Sequence, residues 1–156
     1  MKPIFKLIIS ILISLAVGAV SGFFTASSVK DWFVTLNKPS FNPPSWLFAP
    51  VWTILYLMMG IAFYLIWKSH AKLEKRYTGY TYYWLQLGLN FLWSFLFFYY
   101  RRPDLALIDI ILLFIMIAST VFSFRKVSKT AAWLLAPYLC WVAFATALNF
   151  EIWRLN

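Results

Sequence analysis

The sequence predicts an all-α, polytopic membrane protein, a bundle of five transmembrane helices. Three observations carry that expectation. Of the 156 residues, 63% are hydrophobic and only 12% are charged, whereas a soluble domain has about 45–50% apolar and about 25% charged residues. The chain also falls into five runs almost free of charge, each long enough for the roughly 20 helical residues that cross a hydrocarbon core of about 30 Å. Finally, the basic residues collect at the ends of those runs. A water-soluble bundle needs a polar face on every helix, and these runs have none.

The first run, Leu7 to Val29, has no charge over 23 residues and predicts a helix over about 4–26. Lys2 and Lys6 ahead of it and Ala26-Ser27-Ser28 behind it resemble a signal peptide, but a signal's apolar region spans about 7–15 residues, so the run is read as a retained helix. Pro39 to Trp67 is uncharged over 29 residues. Proline suits a first helical turn, so the second helix is placed at 50–67, from Pro50. Tyr77 to Tyr100 predicts the third, 79–100. Leu105 to Phe124, interrupted only by Asp109, predicts the fourth, 105–124. Thr130 to Phe150 predicts the fifth, 130–153.

Of the four connectors, three are short and polar, and one, residues 27–49, is long. A connector of that length is usually functional or disordered. This one holds Pro39, Pro43 and Pro44 with Trp32 and Trp46, a composition opposed to disorder. It is expected to be an ordered lid.

The formal charge of +9 does not point to nucleic acid, because the basic residues form no patch or motif. With the N-terminus in the cytoplasm, that side holds Lys2, Lys6, Lys68, Lys72, Lys75, Arg76, Arg125, Lys126 and Lys129. The other side holds Lys30, Lys38, Arg101, Arg102 and Arg154. The excess favours the N-terminus inside, with the long connector and the C-terminus outside.

No conventional catalytic set is present. Asp31, Glu74, Asp104, Asp109 and Glu151 are the only carboxylates, the single His70 lies among lysines, and no phosphate loop or metal constellation can be built. The single Cys140 is expected to be a buried thiol. Asn90, midway along the third helix, is either glue between helices or a ligand contact. Asp109 is expected to pair with Arg101 or Arg102, and Asn149 to satisfy nearby backbone. Ser14, Gly18, Gly22 and Ala26, at four-residue spacing, are either a contact within one bundle or a dimer face. Trp46-Leu47-Phe48-Ala49-Pro50 echoes Trp133-Leu134-Leu135-Ala136-Pro137, too short a match to establish a repeat.

The aromatics are the larger signal. Trp32, Trp67, Tyr99, Tyr100 and Trp153 fit interfacial anchors. Trp93 and Trp141 lie too deep for that role, and Trp46 and Trp52 cluster with prolines. Flat aromatic walls under a stiff lid suit a large planar apolar ligand.

Three segments, KPSFNPPSWLFAPVWTILYLMMG (Lys38–Gly60), QLGLNFLWSFLFF (Gln86–Phe98) and PYLCWVAFATALNFEIWRLN (Pro137–Asn156), resemble the translocator protein family. That family is also known as tryptophan-rich sensory proteins or peripheral-type benzodiazepine receptors. The likeness spans essentially the whole chain and is to bacterial members. It implies a bundle in the cell membrane that binds porphyrin, such as protoporphyrin IX, requires no cofactor or metal, and forms a homodimer. Some members take isoquinoline carboxamide or benzodiazepine-type ligands in the same pocket. By motif, Gly22, Trp52, Asn90, Trp93, Trp141, Phe144, Ala145 and Leu148 are implied as ligand-binding, with Pro43, Trp46 and Phe48 as the lid. Trp52 and Trp141 are implied in light- and oxygen-dependent porphyrin breakdown. The resemblance leaves sensing, sequestration and breakdown open. A transporter of porphyrins or other amphipathic molecules is the alternative, and a structural subunit of a larger complex a third. Phe150 stands between Leu148 and Arg154 where animal members' sterol motif has tyrosine, so sterol binding is not implied.

Overall fold

A computed structural model describes all 156 residues. Five helices follow one another with no strand: α1 (Pro3–Asp31), α2 (Ser45–Trp67), α3 (Leu73–Ser94), α4 (Pro103–Arg125) and α5 (Lys129–Leu155). A 3₁₀ turn (Phe33–Thr35) follows α1, and a π-helical turn (Phe95–Tyr99) prolongs α3. Four of the helices are long and apolar enough to cross a membrane. The exception, α3, carries Glu74 in its first turn and buries Gln86 and Asn90. The chain is a multi-pass membrane protein.

Several boundaries depart from the sequence expectation. Helix α1 runs on to Asp31 instead of stopping near 26, and α2 begins at Ser45 instead of Pro50. The connector is therefore 32–44, not 27–49. Pro50 sits inside α2, where its missing N–H forgoes only a bond to the carbonyl of Trp46. Pro137 stands in the same relation to Trp133 in α5, and both tryptophans are exposed on the outside of the bundle. Helix α3 starts at Leu73 instead of 79, because its charged first turn lies outside the apolar run. Helix α5 is started by Ser128, whose hydroxyl accepts from the Ala131 N–H at 3.2 Å.

Helix α1 packs on α2, α2 on α5, α5 on α4 and α4 on α3, while the end of α3 comes back against α1. The α1–α2 crossing is close because Gly60 lacks a side chain. A Cβ there would lie 2.7 Å from the Ile11 Cα. Across that crossing, the Ser14 hydroxyl donates to the Tyr56 carbonyl at 2.7 Å. Every buried residue of α1 carries a hydroxyl: Ser10, Ser14, Ser21, Thr25 and Ser28. They form a seam of small residues at near-heptad spacing that lets neighbouring helices approach closely, and Ser14 alone bonds across it. The opposite face of α1 presents Phe5, Ile8, Leu12 and Phe23 outward, as lipid requires.

The two ends of the bundle differ. At the end away from the 32–44 connector, Phe63 packs against Tyr83 with centroids 4.7 Å apart, and Tyr83 stacks on Phe124 at 6.0 Å. This half is solid. The half beneath the connector is hollow.

The C-terminal end of α5 lies on the connector's side. Asn156 accepts from the Asn37 backbone N–H at 3.1 Å, and its amide donates to the Asn37 carbonyl at 2.9 Å. Cys140 is exposed on the outside of α5, not buried as expected, because residue 140 falls on the face opposite Tyr138 and Val142.

Candidate functional site

A cavity of about 590 Å³ occupies the hollow half, bounded by α1, α2, α5 and the end of α3. That volume is within the range of pockets that take drug-sized ligands, about 300–1,000 Å³. Eight of its 25 lining residues are aromatic. Trp52 on α2 lies 6.3 Å from Trp93 with the rings tilted 31°, and 6.5 Å from Trp141 at 88°. The three indoles thus make two joined surfaces nearly at right angles.

The roof comes from the connector and from the π-helical turn. Phe33, buried in the 3₁₀ turn, meets Phe48 at 6.4 Å and Phe98 at 5.6 Å. The wide turn at 95–99 places Phe97 and Phe98 side by side in the cavity wall, their ring centroids 4.8 Å apart. The turn beyond it is strained. Arg101 adopts φ 54° without being glycine, at a cost of roughly 1–2 kcal/mol, and its guanidinium sits over the Trp32 ring at 5.9 Å. Lys38 folds back over the Phe33 ring at 4.9 Å and donates to the Leu36 carbonyl. The connector packs over the cavity with rings and cations in contact.

The structure brings together Gly22, Phe48, Trp52, Trp93, Trp141, Ala145 and Leu148 around this one cavity. Four other residues singled out in the sequence do not line it. Pro43 lies in the roof segment behind the wall. Trp46 is 71% exposed at the start of α2, turned outward as an interfacial anchor would be. Phe144 packs behind Trp141 at 5.5 Å and under Phe41 of the connector at 6.0 Å. Asn90 is engaged within the protein at both ends of its amide. Its Oδ1 accepts from the Tyr56 hydroxyl at 2.6 Å and its Nδ2 donates to the Tyr138 hydroxyl at 2.7 Å. The Tyr138 hydroxyl in turn donates to Gln86 Oε1 at 2.8 Å. Asn90 is the glue of its two readings. It reaches the cavity only through Tyr56, whose ring lines the wall.

Two further expectations resolve differently. Asp109 does not pair with an arginine. Arg102 is taken by Asp104 at 2.8 Å, and Asp109, seven residues and about 10 Å further along the helix, turns into the bundle with neither carboxylate oxygen partnered. The small-residue stripe serves the inside of the bundle. A Cβ on Gly18 would come within 2.6 Å of the Tyr56 ring, while Gly22 and Ala26 line the cavity.

Sequence reasoning passed over Tyr56, Phe33, Phe97 and Asn149 as wall residues. The period of the α1 hydroxyls could have revealed which face of that helix looks inward. Nothing in the sequence announces the π-helical turn.

The sequence matches the TspO/MBR family over residues 10–154. It is 48% identical over 153 residues to the Tryptophan-rich protein TspO of Archaeoglobus fulgidus, covering 98% of each chain. It is 43% identical over 132 residues to the Translocator protein of Homo sapiens, covering 80% of this chain and 75% of that one. To the Tryptophan-rich sensory protein of Cereibacter sphaeroides it is 38% identical over 126 residues, 81% of this chain and 77% of the other. With a five-helix bundle, a tryptophan-walled cavity and these likenesses over nearly its whole length, the chain belongs to the TspO/MBR family.

Proposed function

We propose that the protein binds a porphyrin of the protoporphyrin IX type in the cavity beneath the 32–44 roof. The observation that carries this reading is the pair of joined indole surfaces made by Trp52, Trp93 and Trp141 around one apolar space of about 590 Å³. A flat macrocycle can stack on one surface and be held edge-on by the other, each aromatic contact adding about 0.5–1.5 kcal/mol beyond buried area. The ordered roof lowers the entropy lost on closure. Illuminated in air, porphyrin held there is broken down, with Trp52 and Trp141 as the oxidisable side chains. Sensing or sequestration follows from the same binding step. Isoquinoline carboxamide and benzodiazepine-type ligands take the same cavity.

In the cell membrane the N-terminus is cytoplasmic, as the distribution of basic residues supports. A homodimer belongs to this reading through family likeness alone, since the α1 stripe is spent inside the monomer. Both proline-containing helices are continuous, which speaks against the discontinuous-helix architecture of many transporters.

Gly22 provides the test. A Cβ there meets nothing within 4 Å, so the side chain of Gly22→Leu starts into open cavity space. Protoporphyrin IX is titrated in darkness into protein held in lipid nanodiscs and followed by quenching of tryptophan fluorescence. The variant is expected to stay folded and to lose roughly tenfold in affinity, the equivalent of about 1.4 kcal/mol of displaced ligand contact. Unchanged affinity would place the porphyrin elsewhere.

A further inference from the structure

The end of the bundle away from the 32–44 connector carries a second concavity. A groove of about 440 Å³ opens on the outside of the bundle, between the last turns of α4 and the first turns of α5. Val121 and Arg125 line it from α4, and Lys129, Ala132, Trp133 and Ala136 from α5. Ala132 and Ala136, one turn apart, keep the space between the helices open where larger side chains would close it. Trp133 beside them is 76% exposed.

Polarity changes along the groove. Arg125 and Lys129 lie at its outer end, both exposed. Ala136 lies seven residues beyond Lys129, roughly 10 Å further toward the middle of the bundle. Neither cation is paired. The chain's two ion pairs, Arg102 with Asp104 and Arg154 with Glu151, both lie at the connector end. Glu74, in the first turn of α3, is the one carboxylate at the groove's end, and it joins neither cation. Arg125 suits the C-terminal turn of α4, but Lys129 opens α5, where a helix favours an anion. The first turn of α5 holds no acidic residue, and the N–H groups of Lys129 and Thr130 have no backbone partner. Membrane topology asks for basic residues at this end. It does not ask for two of them at the mouth of one apolar groove.

We infer that this groove binds an anionic glycerophospholipid. The phosphate lies between Arg125 and Lys129, an acyl chain runs past Ala132 to Ala136, and Trp133 stands at the level of the headgroup. A guanidinium is a bidentate partner for phosphate, and basic pockets between membrane helices take such headgroups. Free phosphate would use the cations and leave the apolar length unfilled. A zwitterionic phospholipid would bring its own ammonium against them. The site stands whatever fills the tryptophan-walled cavity, which lies at the other end of the bundle.

Native mass spectrometry of the full chain released from detergent tests this. Dioleoylphosphatidylglycerol and dioleoylphosphatidylcholine are titrated in turn, and the affinity of the first bound lipid is read. The proteins are the parent, Arg125→Gln/Lys129→Gln, Ala136→Leu, and Lys72→Gln/Lys75→Gln. The last removes the same charge from exposed lysines at the same end, outside the groove. The parent should hold one phosphatidylglycerol more tightly than any phosphatidylcholine, and added salt should weaken it. Arg125→Gln/Lys129→Gln should cost phosphatidylglycerol about tenfold, the scale of two cations near a headgroup, and leave phosphatidylcholine unchanged. Ala136→Leu keeps both cations but fills the groove, and should also weaken phosphatidylglycerol severalfold. Lys72→Gln/Lys75→Gln should change neither lipid. Equal losses in the two charge variants would show general attraction to a basic surface and overturn the inference, as would an unaffected Ala136→Leu. Displacement of phosphatidylglycerol by an equal concentration of glycerol 3-phosphate would assign the cations to a free phosphate and overturn the lipid. A dimer that excludes lipid and is lost in Ala136→Leu would give the groove to a second copy of the chain instead.

Discussion

Trp93 on α3 donates its indole N–H to the Asn149 side-chain oxygen on α5 at 2.9 Å. The same amide then donates to the Pro103 carbonyl at the start of α4, also at 2.9 Å. One side chain thus ties three helices together beside the cavity, and fixes the plane of an indole that forms its wall. Asn149→Ala leaves the Trp93 N–H unpaired and removes the side-chain bond to the Pro103 carbonyl. The expected destabilisation is about 1–3 kcal/mol, read as a lowered unfolding midpoint in a fixed detergent. Trp93→Phe should cost less in the Asn149→Ala background than in the wild type, and equal costs would show that the bond contributes nothing.

Tyr138 should matter more than Tyr56. The Tyr138 hydroxyl accepts from Asn90 and donates to Gln86, whereas the Tyr56 hydroxyl only donates to Asn90. Tyr138→Phe therefore orphans two buried groups and Tyr56→Phe one. At roughly 1 kcal/mol or more for each abandoned group, Tyr138→Phe is expected to lose about twice the stability. Equal midpoints for the two variants would contradict the hub assignment.

Asp109 is 4% exposed and has no partner for either oxygen. A buried carboxyl in that state is a burden on the fold. Asp109→Asn keeps its shape and removes the ionisable group, so stability at neutral pH should rise by about 1 kcal/mol. A clear drop instead would show that the carboxylate has a charged or hydrated partner.

Binding and photochemistry should separate at Trp52 and Trp141. Trp→Phe keeps most of the apolar area and a π face, so dark affinity should fall by less than about 1.5 kcal/mol. Indole is far easier to oxidise than a phenyl ring, so light-driven loss of porphyrin absorbance at saturation should slow much more. Degradation at the parent rate in both variants would reduce these tryptophans to walls.

The roof should depend on its tie to α5. Asn156→Ala removes the reciprocal pair with Asn37, so backbone amides over 36–42 should exchange hydrogen faster, while those of α4 should not change. Porphyrin should slow exchange in the same segment of the parent protein. Exchange within seconds in every state would mean the roof is not ordered.

The spans were legible because charge is costly in lipid, so its absence outlines them. The starts of α2 and α3 were not, for two physical reasons. Proline favours a first turn but is tolerated deeper when only one carbonyl is left free, as at Pro50. Polar first turns, such as Leu73 to Arg76, project beyond the apolar run and look like loop. The walls at Trp52, Trp93 and Trp141 were legible because deep tryptophans have no anchoring role. Asn90 was not, because an amide midway along a helix reads the same whether it faces a ligand or two tyrosines. The inward face of α1 was half legible: the stripe Ser14, Gly18, Gly22 and Ala26 lies on it, but the sequence left a dimer face equally open, and the helix's buried residues are hydroxyls at near-heptad spacing. Phe97 and Phe98 reach the wall through a π-helical turn, which leaves no mark on composition.

Cys140 is the chain's only cysteine, faces outward from α5 and adjoins Trp141 in sequence. The protein thus carries a built-in attachment point for a spectroscopic label, on the surface and one residue from the cavity wall. A nitroxide placed there needs no engineered background. Its mobility would report movement of the Trp141 backbone as the cavity fills. Pairs of such labels would give a single inter-subunit distance in any dimer, and unpaired labels would report a monomer in the same spectrum.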